Sequence, residues 1–450
     1  MFSKMTNVRL VSHSSVLIQK GSEFILTDPW FEKPAFGSWL PVPPMSIHPA
    51  YLTSLASTNP NFSIAVSHGH DDHLDDKFLS LFPKHTNIII PEYKSKGVLS
   101  RLQRIGFKNI IQAPLSGVQH GCFNIRSYIN MEISRDDAIL SFEASDNLIV
   151  HANDNWQELD VENFQILKMV ADRFESEQIL YMSQCNLADG FPSIYRDYDQ
   201  EQKAQIHTNR VDNIIKNSLL NANKLGAKYF INYAGHAVPF VQSAGELKDI
   251  ASFKSNVEIQ KACDELGYDV DVLNVLPGDS FNFEEVQNQF SGYSISEESI
   301  KQESYKFYES YGRVNKCDSY RDYSFVERGT LSSSLGKFLN GFTKFVEPRI
   351  EPTGFNTDIF GCKIVFICED MRMSQEVVVG GRDSFDGRVA KFYMPASLFA
   401  AIMTGDSNWE NLYIGYGGEV ETTPKDTNIR AVVRWLAMYG YVYQRERNDW

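Results

Sequence analysis

The feature that most restricts what this chain can fold into is the hexapeptide His68-Gly69-His70-Asp71-Asp72-His73, which follows the apolar run Phe62-Ser63-Ile64-Ala65-Val66 without a break. His68 and His70 are two positions apart, so on an extended segment both imidazoles project to one side and can chelate a single ion. Asp72 and His73, on a tightening turn, can reach a second ion beside it. Imidazoles mixed with carboxylate suit zinc, iron or manganese. An ordinary solvated turn is the plain alternative, but it has little use for four ligand-type side chains within six residues. A helix is predicted from Asp75 to Leu81, so rigid elements would fix the ligands on both sides.

Around this motif the chain alternates strands with helices. Val8-Arg9-Leu10-Val11, Ser15-Val16-Leu17-Ile18 and Phe24-Ile25-Leu26-Thr27 read as an antiparallel meander that ends at Asp28-Pro29-Trp30-Phe31. A loop rich in Pro and aromatic residues runs from Lys33 to Pro49. Further strands are predicted at Asn87–Ile90, Ala138–Phe142, Asn147–His151 and Tyr229–Asn232, and helices at Lys94–Ile105 and Gln205–Leu225. Strands and helices mixed on this scale imply a layered α/β sandwich. The texture changes after Asn282: Glu284–Tyr308 is polar, acidic and predicted helical. The domains are therefore drawn at residues 1–290 and 291–450, the second a smaller α+β unit with strands at Lys363–Ile367 and Glu376–Val379 and a helix at Ile429–Met438. At 450 residues the chain is too long for one ordinary core.

Composition excludes several classes. Hydrophobic residues at 43% and charged residues at 22% are those of a globular protein rather than a disordered or fibrous one. A net charge of −14 without any basic run argues against a nucleic-acid partner. No stretch of eighteen apolar residues and no signal peptide is evident, so no membrane span is expected and the expected location is the cytoplasm. Six scattered cysteines lack Cys-x-x-Cys pairs, which indicates neither a disulfide framework nor a zinc ribbon.

The run His-x-His-x-Asp-His after a buried strand resembles the signature of the metallo-β-lactamase superfamily. The resemblance implies a four-layer αββα sandwich with two metal ions at one sheet edge, and two ligands downstream: an Asp bridging both ions and a terminal His. Asp154 is the candidate for the first, in the polar loop Ala152-Asn153-Asp154-Asn155 after a strand; an ordinary turn Asp is the alternative. His236 in Tyr233-Ala234-Gly235-His236 is the candidate for the second, with a core histidine as its alternative. His151 lies within the strand and is expected to be packed or to support a ligand. The resemblance also implies a third first-site histidine, and here the sequence departs from it. Only His85 and His120 fall between His73 and His151, while Glu132-Ile133-Ser134-Arg135-Asp136-Asp137 stands at about the right place. Glu132 and Asp137 are the candidates there, and a carboxylate would favour iron or manganese over zinc. Solvated turn acids are the equal alternative.

Shorter stretches are similar to the metallo-β-lactamase part of the cytidine monophosphate N-acetylneuraminic acid hydroxylase family: Leu26-Thr27-Asp28-Pro29-Trp30-Phe31, Gly37-Ser38-Trp39, Ala152-Asn153-Asp154, Gly226-Ala227-Lys228-Tyr229, Ala234-Gly235-His236 and Pro277-Gly278-Asp279. That likeness implies an iron-dependent monooxygenase using dioxygen. The family's Rieske iron–sulfur domain carries Cys-x-His and Cys-x-x-His pairs, which are missing here, so electrons would come from a separate reductase or ferredoxin. The expectation is a diiron oxygenase acting on a small polar metabolite, with Asp72, Asp154 and His236 in catalytic roles. A zinc- or manganese-dependent hydrolase of a phosphoester, amide or lactone is the alternative. The C-terminal unit, weakly similar to sterol-carrier modules through Phe392–Pro395 and Trp409–Leu412, is expected to cap the cleft.

Overall fold

The computed structural model describes residues 5–31, 34–41, 47–129, 137–155, 157, 159–187, 189–234, 237–239, 254–284, 328–353, 359–425 and 427–448. Strands β1 (Thr6–Ser12), β2 (Ser15–Lys20) and β3 (Glu23–Thr27) form the expected antiparallel meander. A short β4 (Trp39–Pro41) precedes β5 (Phe62–Ala65), β6 (Asn87–Pro91) and β7 (Ile110–Ala113), which join β3 in parallel. A second sheet starts with the antiparallel β8 (Val118–His120), β9 (Phe123–Ile129), β10 (Ala138–Glu143) and β11 (Leu148–Asn153). It continues in parallel through β12 (Ile179–Ser183), β13 (Tyr229–Asn232) and, beyond β14 (Ala237–Pro239), β15 (Asp271–Val272). β16 (Ser280–Asn282) returns to pair with β1, so the chain closes the first sheet after building the second. Each sheet has seven strands, and β14 pairs with β4 outside both.

The apolar residues of each strand are divided between two cores. Val16, Ile18, Ile25 and Ile89 face Phe142, Ile149, Leu180 and Ile231 between the sheets. The intervening Leu17, Leu26, Ile88 and Ile90 face outward against Leu52 of α1 (Pro49–Thr58), Phe78 of α2 (Asp76–Leu79) and Leu102 of α3 (Gly97–Ile105). On the other side Val150, Tyr181 and Phe230 pack against Leu167 of α4 (Val161–Ala171), Val211 and Leu219 of α5 (Gln200–Leu225) and Cys263 of α6 (Asn256–Glu265). The result is an αββα sandwich. Because the central strands are used on both faces, a one-residue slip there would exchange the two cores, each large side chain being worth about 1.5–3 kcal/mol of burial. Register is thus strongly fixed where the site needs it.

Element limits shift from the sequence expectations for local reasons. α2 is one turn, capped by the Asp75 carboxylate accepting from Phe78 N, with Pro83 soon after. α5 starts earlier than Gln205 because Asp199 and Gln202 form a capping box. Lys94, Ser95 and Lys96 precede α3, which begins at Gly97. The predicted helix Glu284–Tyr308 lies outside the described residues apart from Glu284, which is in a turn.

From Arg328 onward a separate core forms. α7 (Arg328–Thr353) lies over a sheet of β17 (Lys363–Cys368), β18 (Met373–Val378), β19 (Val389–Tyr393) and β20 (Glu419–Thr423), with α8 (Ala396–Thr404), α9 (Trp409–Tyr413) and α10 (Ile429–Asn448). This core does not stop at the sandwich, for Trp30, Phe36, Trp39, Ile194 and Tyr195 are part of it. Polar links reinforce the seam: Trp39 Nε1 donates to Ile414 O at 2.6 Å, Tyr416 OH to Asp189 O at 2.8 Å, and Asp189 receives both Arg210 and Arg430. Among the described residues no helix is long and apolar enough to cross a membrane.

Candidate metal centre

After β5, Val66 N still donates to Ile89 O at 2.9 Å, so the chain stays extended into His68. It then tightens, with His73 N and Leu74 N both donating to His70 O at 3.1 and 2.9 Å, which swings Asp72 and His73 back toward the first two histidines. Arg101 of α3 holds this loop from outside: it donates to Gly69 O at 2.7 Å and Leu74 O at 3.0 Å, and pairs with Asp71 and Asp76. Asp71 thus faces the guanidinium.

Inside the loop, His68 Nε2 and His70 Nδ1 lie 2.9 Å apart, and His68 Nε2 is 3.8 Å from Asp154 Oδ2. The other oxygen, Asp154 Oδ1, is 3.2 Å from His73 Nε2, which in turn is 3.8 Å from Asp72 Oδ2. Ligand atoms about 2.1 Å from one ion stand roughly 3.0–3.4 Å from each other; the 2.9 and 3.2 Å separations are close to this and the two of 3.8 Å are wider, a spread that would suit cations on either side of Asp154. Two polar atoms in this space, His73 Nε2 and Asp72 Oδ1, are buried without a hydrogen-bond partner. Such orphans are costly unless something else fills the role, and a cation does so. The chain therefore brings together His68, His70 and Asp154 on one side and Asp72, His73 and His13 on the other.

Supporting groups set the direction of each ring. Asp28 is fully buried; its Oδ1 accepts from Ser67 N at 2.7 Å, and its Oδ2 accepts from Ser67 Oγ at 2.6 Å, His73 Nδ1 at 2.9 Å and His151 Nε2 at 2.8 Å. The Tyr233 hydroxyl meets His151 Nδ1 at 2.5 Å and accepts from Asn153 N. With Ser67 Oγ committed to Asp28, it is free to accept from His68 Nδ1 at 3.0 Å. This pattern assigns the N–H to Nδ1 of both His68 and His73 and leaves both Nε2 lone pairs facing the centre. His151 stands behind the site.

Electrostatics match. Burial alone would raise the Asp28 carboxyl, but His151 and His73 outweigh it and hold Asp28 well below the carboxylate range. Burial opposes ionisation of Asp154 too, and His73 and His68 hold it low. Burial and Asp154 together push Asp72 up to about 6 and Asp137 up to about 7. Burial, then His73 and His70, depress His68. For His73, burial is outweighed by Asp154, Asp72 and Asp28, and its pKa rises well above the usual value. So dense a set of acids and imidazoles is what a cation would stabilise.

Sequence reasoning located most of these groups and missed others. Asp137 approaches His68 from the Nδ1 side at 3.5 Å, opposite the nitrogen that faces His70, and accepts from Asn155 Nδ2 at 2.8 Å. Glu132 and His236 lie outside the described residues. His13, between β1 and β2, was not singled out; its ring stands edge-on to Trp30 at 5.0 Å and to His73 at 5.5 Å. Of the seven non-glycine residues with positive φ among those described, six (His13, Asp28, Phe36, Asn153, Ala234 and Tyr416) flank the centre or its wall. Backbone strain of this kind concentrates at functional sites.

An αββα sandwich whose β5 delivers His68–His73 and whose β11 delivers Asp154 decides the architecture. The fold is that of the metallo-β-lactamases. No protein-family model matches the chain. Among curated proteins it is 31% identical over 106 residues to a protein of Mycolicibacterium smegmatis, and 29% identical over 106 residues to one of Mycobacterium tuberculosis, both described as Rieske 2Fe-2S iron–sulfur proteins. The match spans 23% of this chain and 20% of each relative, about a fifth of their length. Solved structures similar to it include a metal-dependent hydrolase from Veillonella parvula, at 14% identity and TM-score 0.40 over 62% of this chain and 99% of that one. An isothiocyanate hydrolase from Delia radicum gut bacteria gives 13% and 0.39 over 61% and 98%. A diiron β-hydroxylase from Streptomyces venezuelae gives 12% and 0.36 over 62% and 54%.

Proposed function

We propose that this metallo-β-lactamase-fold chain is a dinuclear-iron oxygenase that hydroxylates a small polar metabolite, drawing electrons from a separate reductase or ferredoxin. The observation that carries the reading is the scarcity of imidazoles at the first site. Of the ten histidines, His48 caps α1, His85 is exposed, His120 Nε2 bonds Ser63 at 2.7 Å, His151 is held between Asp28 and Tyr233, and His207 is buried in α5. His13 and His73 belong with Asp72, and His236 is assigned to that second ion from sequence. The first ion is left with His68, His70 and Asp154, since Asp137 stands on the Nδ1 side of His68, away from the centre, and Glu132 is the further candidate from sequence. Oxygen-rich sets favour iron or manganese over zinc, which cannot change oxidation state. The metal pair, when bound, would supply dioxygen activation; the chain's residues orient and enclose it. Asp28 and Ser67 fix the imidazole tautomers, Asp154 lies between the two ligand groups, and the Phe36 ring stands 6.0 Å from that of His70.

Elemental analysis paired with the visible spectrum, before and after anaerobic reduction and exposure to oxygen, tests this. Two irons per chain with an oxygen-dependent spectral change support the oxygenase. Two redox-silent zincs at full occupancy reject it in favour of the hydrolase.

A further inference from the structure

The ligands implied by the sequence come from the loop after β5 and from segments further along the chain, yet the turn between β1 and β2 also reaches the centre. His13 is buried there with a left-handed backbone, φ 43°. Such a conformation costs about 1–3 kcal/mol in a residue other than glycine, so the side chain has to offset it. The ring lies beside Asp72 and His73: the three residues each offer a ligand atom, all within 4.8 Å of one another. The rings of His13 and His73 stand edge-on, 80° between planes, with centroids 5.5 Å apart. His68 and His70, the pair assigned to the first ion, stand in the same way at 86° and 4.5 Å. Within the trio, His73 Nε2 and Asp72 Oδ1 are the buried polar atoms that have no hydrogen-bond partner.

Ser14 adds a second likeness to the first site. Its Oγ is 3.3 Å from His13 Nδ1 and 3.2 Å from His73 Nδ1, as Ser67 Oγ is 3.0 Å from His68 Nδ1. A hydroxyl that accepts from Nδ1–H selects the tautomer whose Nε2 carries the lone pair. Trp30 meets the His13 ring edge-on at 5.0 Å, and His13 O accepts from Ala234 N at 3.2 Å, so both the ring and its backbone are braced. The geometry points to His13 as a direct ligand of the second ion, binding through Nε2 while Ser14 accepts from Nδ1–H. This rests on the dinuclear reading above. The first hairpin of the chain thereby becomes part of the metal centre, and a hydrogen-bonded hairpin is a rigid source of a ligand.

The test uses the full chain, its histidines labelled with the heavier nitrogen isotope, loaded with the magnetic isotope of cadmium and followed by NMR. In the wild type the His13 ring is identified by its contact with the Trp30 ring, and one of its nitrogens is expected to show one-bond coupling to cadmium. Absence of that coupling in a chain carrying two cadmium ions overturns the inference, and decides the matter if the variants fail to fold. His13→Gly and His13→Asn, both compatible with a left-handed backbone, are titrated with cadmium against a chelator. In each, one ion is expected to bind at least roughly 100-fold more weakly, beyond the usual loss of a supporting group, while the other is retained. Unchanged affinity for both ions in a folded variant also overturns the inference. A wild-type chain that does not take two ions refutes the dinuclear reading instead, so the two failures are distinguishable.

Discussion

Asp28→Asn is the substitution whose cost can be worked most directly from the structure. The carboxylate is buried and accepts four hydrogen bonds, one on Oδ1 from Ser67 N and three on Oδ2 from Ser67 Oγ, His73 Nδ1 and His151 Nε2. Asparagine keeps the first. Its amide then presents hydrogens to two imidazole N–H groups, which lose their acceptor, while the serine hydroxyl can rotate. Hydrogen bonds to a charged group are worth about 1.5–3 kcal/mol each, and breaking a buried ionic network costs about 3–5 kcal/mol. The variant should therefore lose about 3–5 kcal/mol in the first urea transition. Its affinity for the ion on His73 should fall roughly 10–100-fold, since that ring is no longer oriented. The pH dependence has a definite sign. Asp28 titrates below its unfolded value of about 3.9, so its contribution is complete above that pH and is lost as the pH falls toward the folded value. The stability gap between wild type and variant should thus be constant near neutrality and narrow below about pH 4. A variant with wild-type stability and metal affinity would refute the orienting role.

Metal affinity should fall as the pH drops through the value of about 6 to which Asp72 is raised, by roughly tenfold per unit for one displaced proton; chelator competition between pH 5 and 8 checks this, and a flat profile counts against Asp72 as a ligand. Gly415→Ala would place a methyl 1.9 Å from Phe36 O and 2.6 Å from Asn411 O. Backbone atoms cannot yield by that much, so a loss of about 3 kcal/mol is expected, together with weaker metal binding because Phe36 covers His70; wild-type melting would contradict it. Asp189→Ala leaves Arg210 and Arg430 without their shared carboxylate. It should destabilise the seam by about 2–3 kcal/mol, seen as faster limited proteolysis between the two units, and an unchanged digestion rate would argue against that ion-pair cluster as a clamp.

How much of this was legible beforehand depends on sequence distance. His68 to His73 were readable because their spacing is itself the geometry, and the meander was readable because Val16, Ile18 and Ile25 alternate with Leu17 and Leu26 across two cores. Asp154 follows an unbroken apolar strand, which gave it a place. His13 had no such signal, since a histidine in a tight turn between strands becomes part of a site only once β1 and β2 lie beside β3 and β5. Asp28 drew notice as part of a resemblance, but its four donors come from positions up to 123 residues away.

The left-handed residues around the centre bear on how such a chain can drift. At His13, Asp28, Phe36, Asn153, Ala234 and Tyr416 a glycine would relax the backbone, each such conformation costing about 1–3 kcal/mol. Ala234 shows the point most simply, because its methyl brings little beyond a narrower choice of conformations. A search for greater heat resistance would turn first to Ala234 and would loosen the loop it holds, whereas at Asp28 the four hydrogen bonds that the carboxylate accepts outweigh the backbone strain. Durability and readiness pull in opposite directions along one rim of the sandwich, and the present sequence stands on the side of readiness.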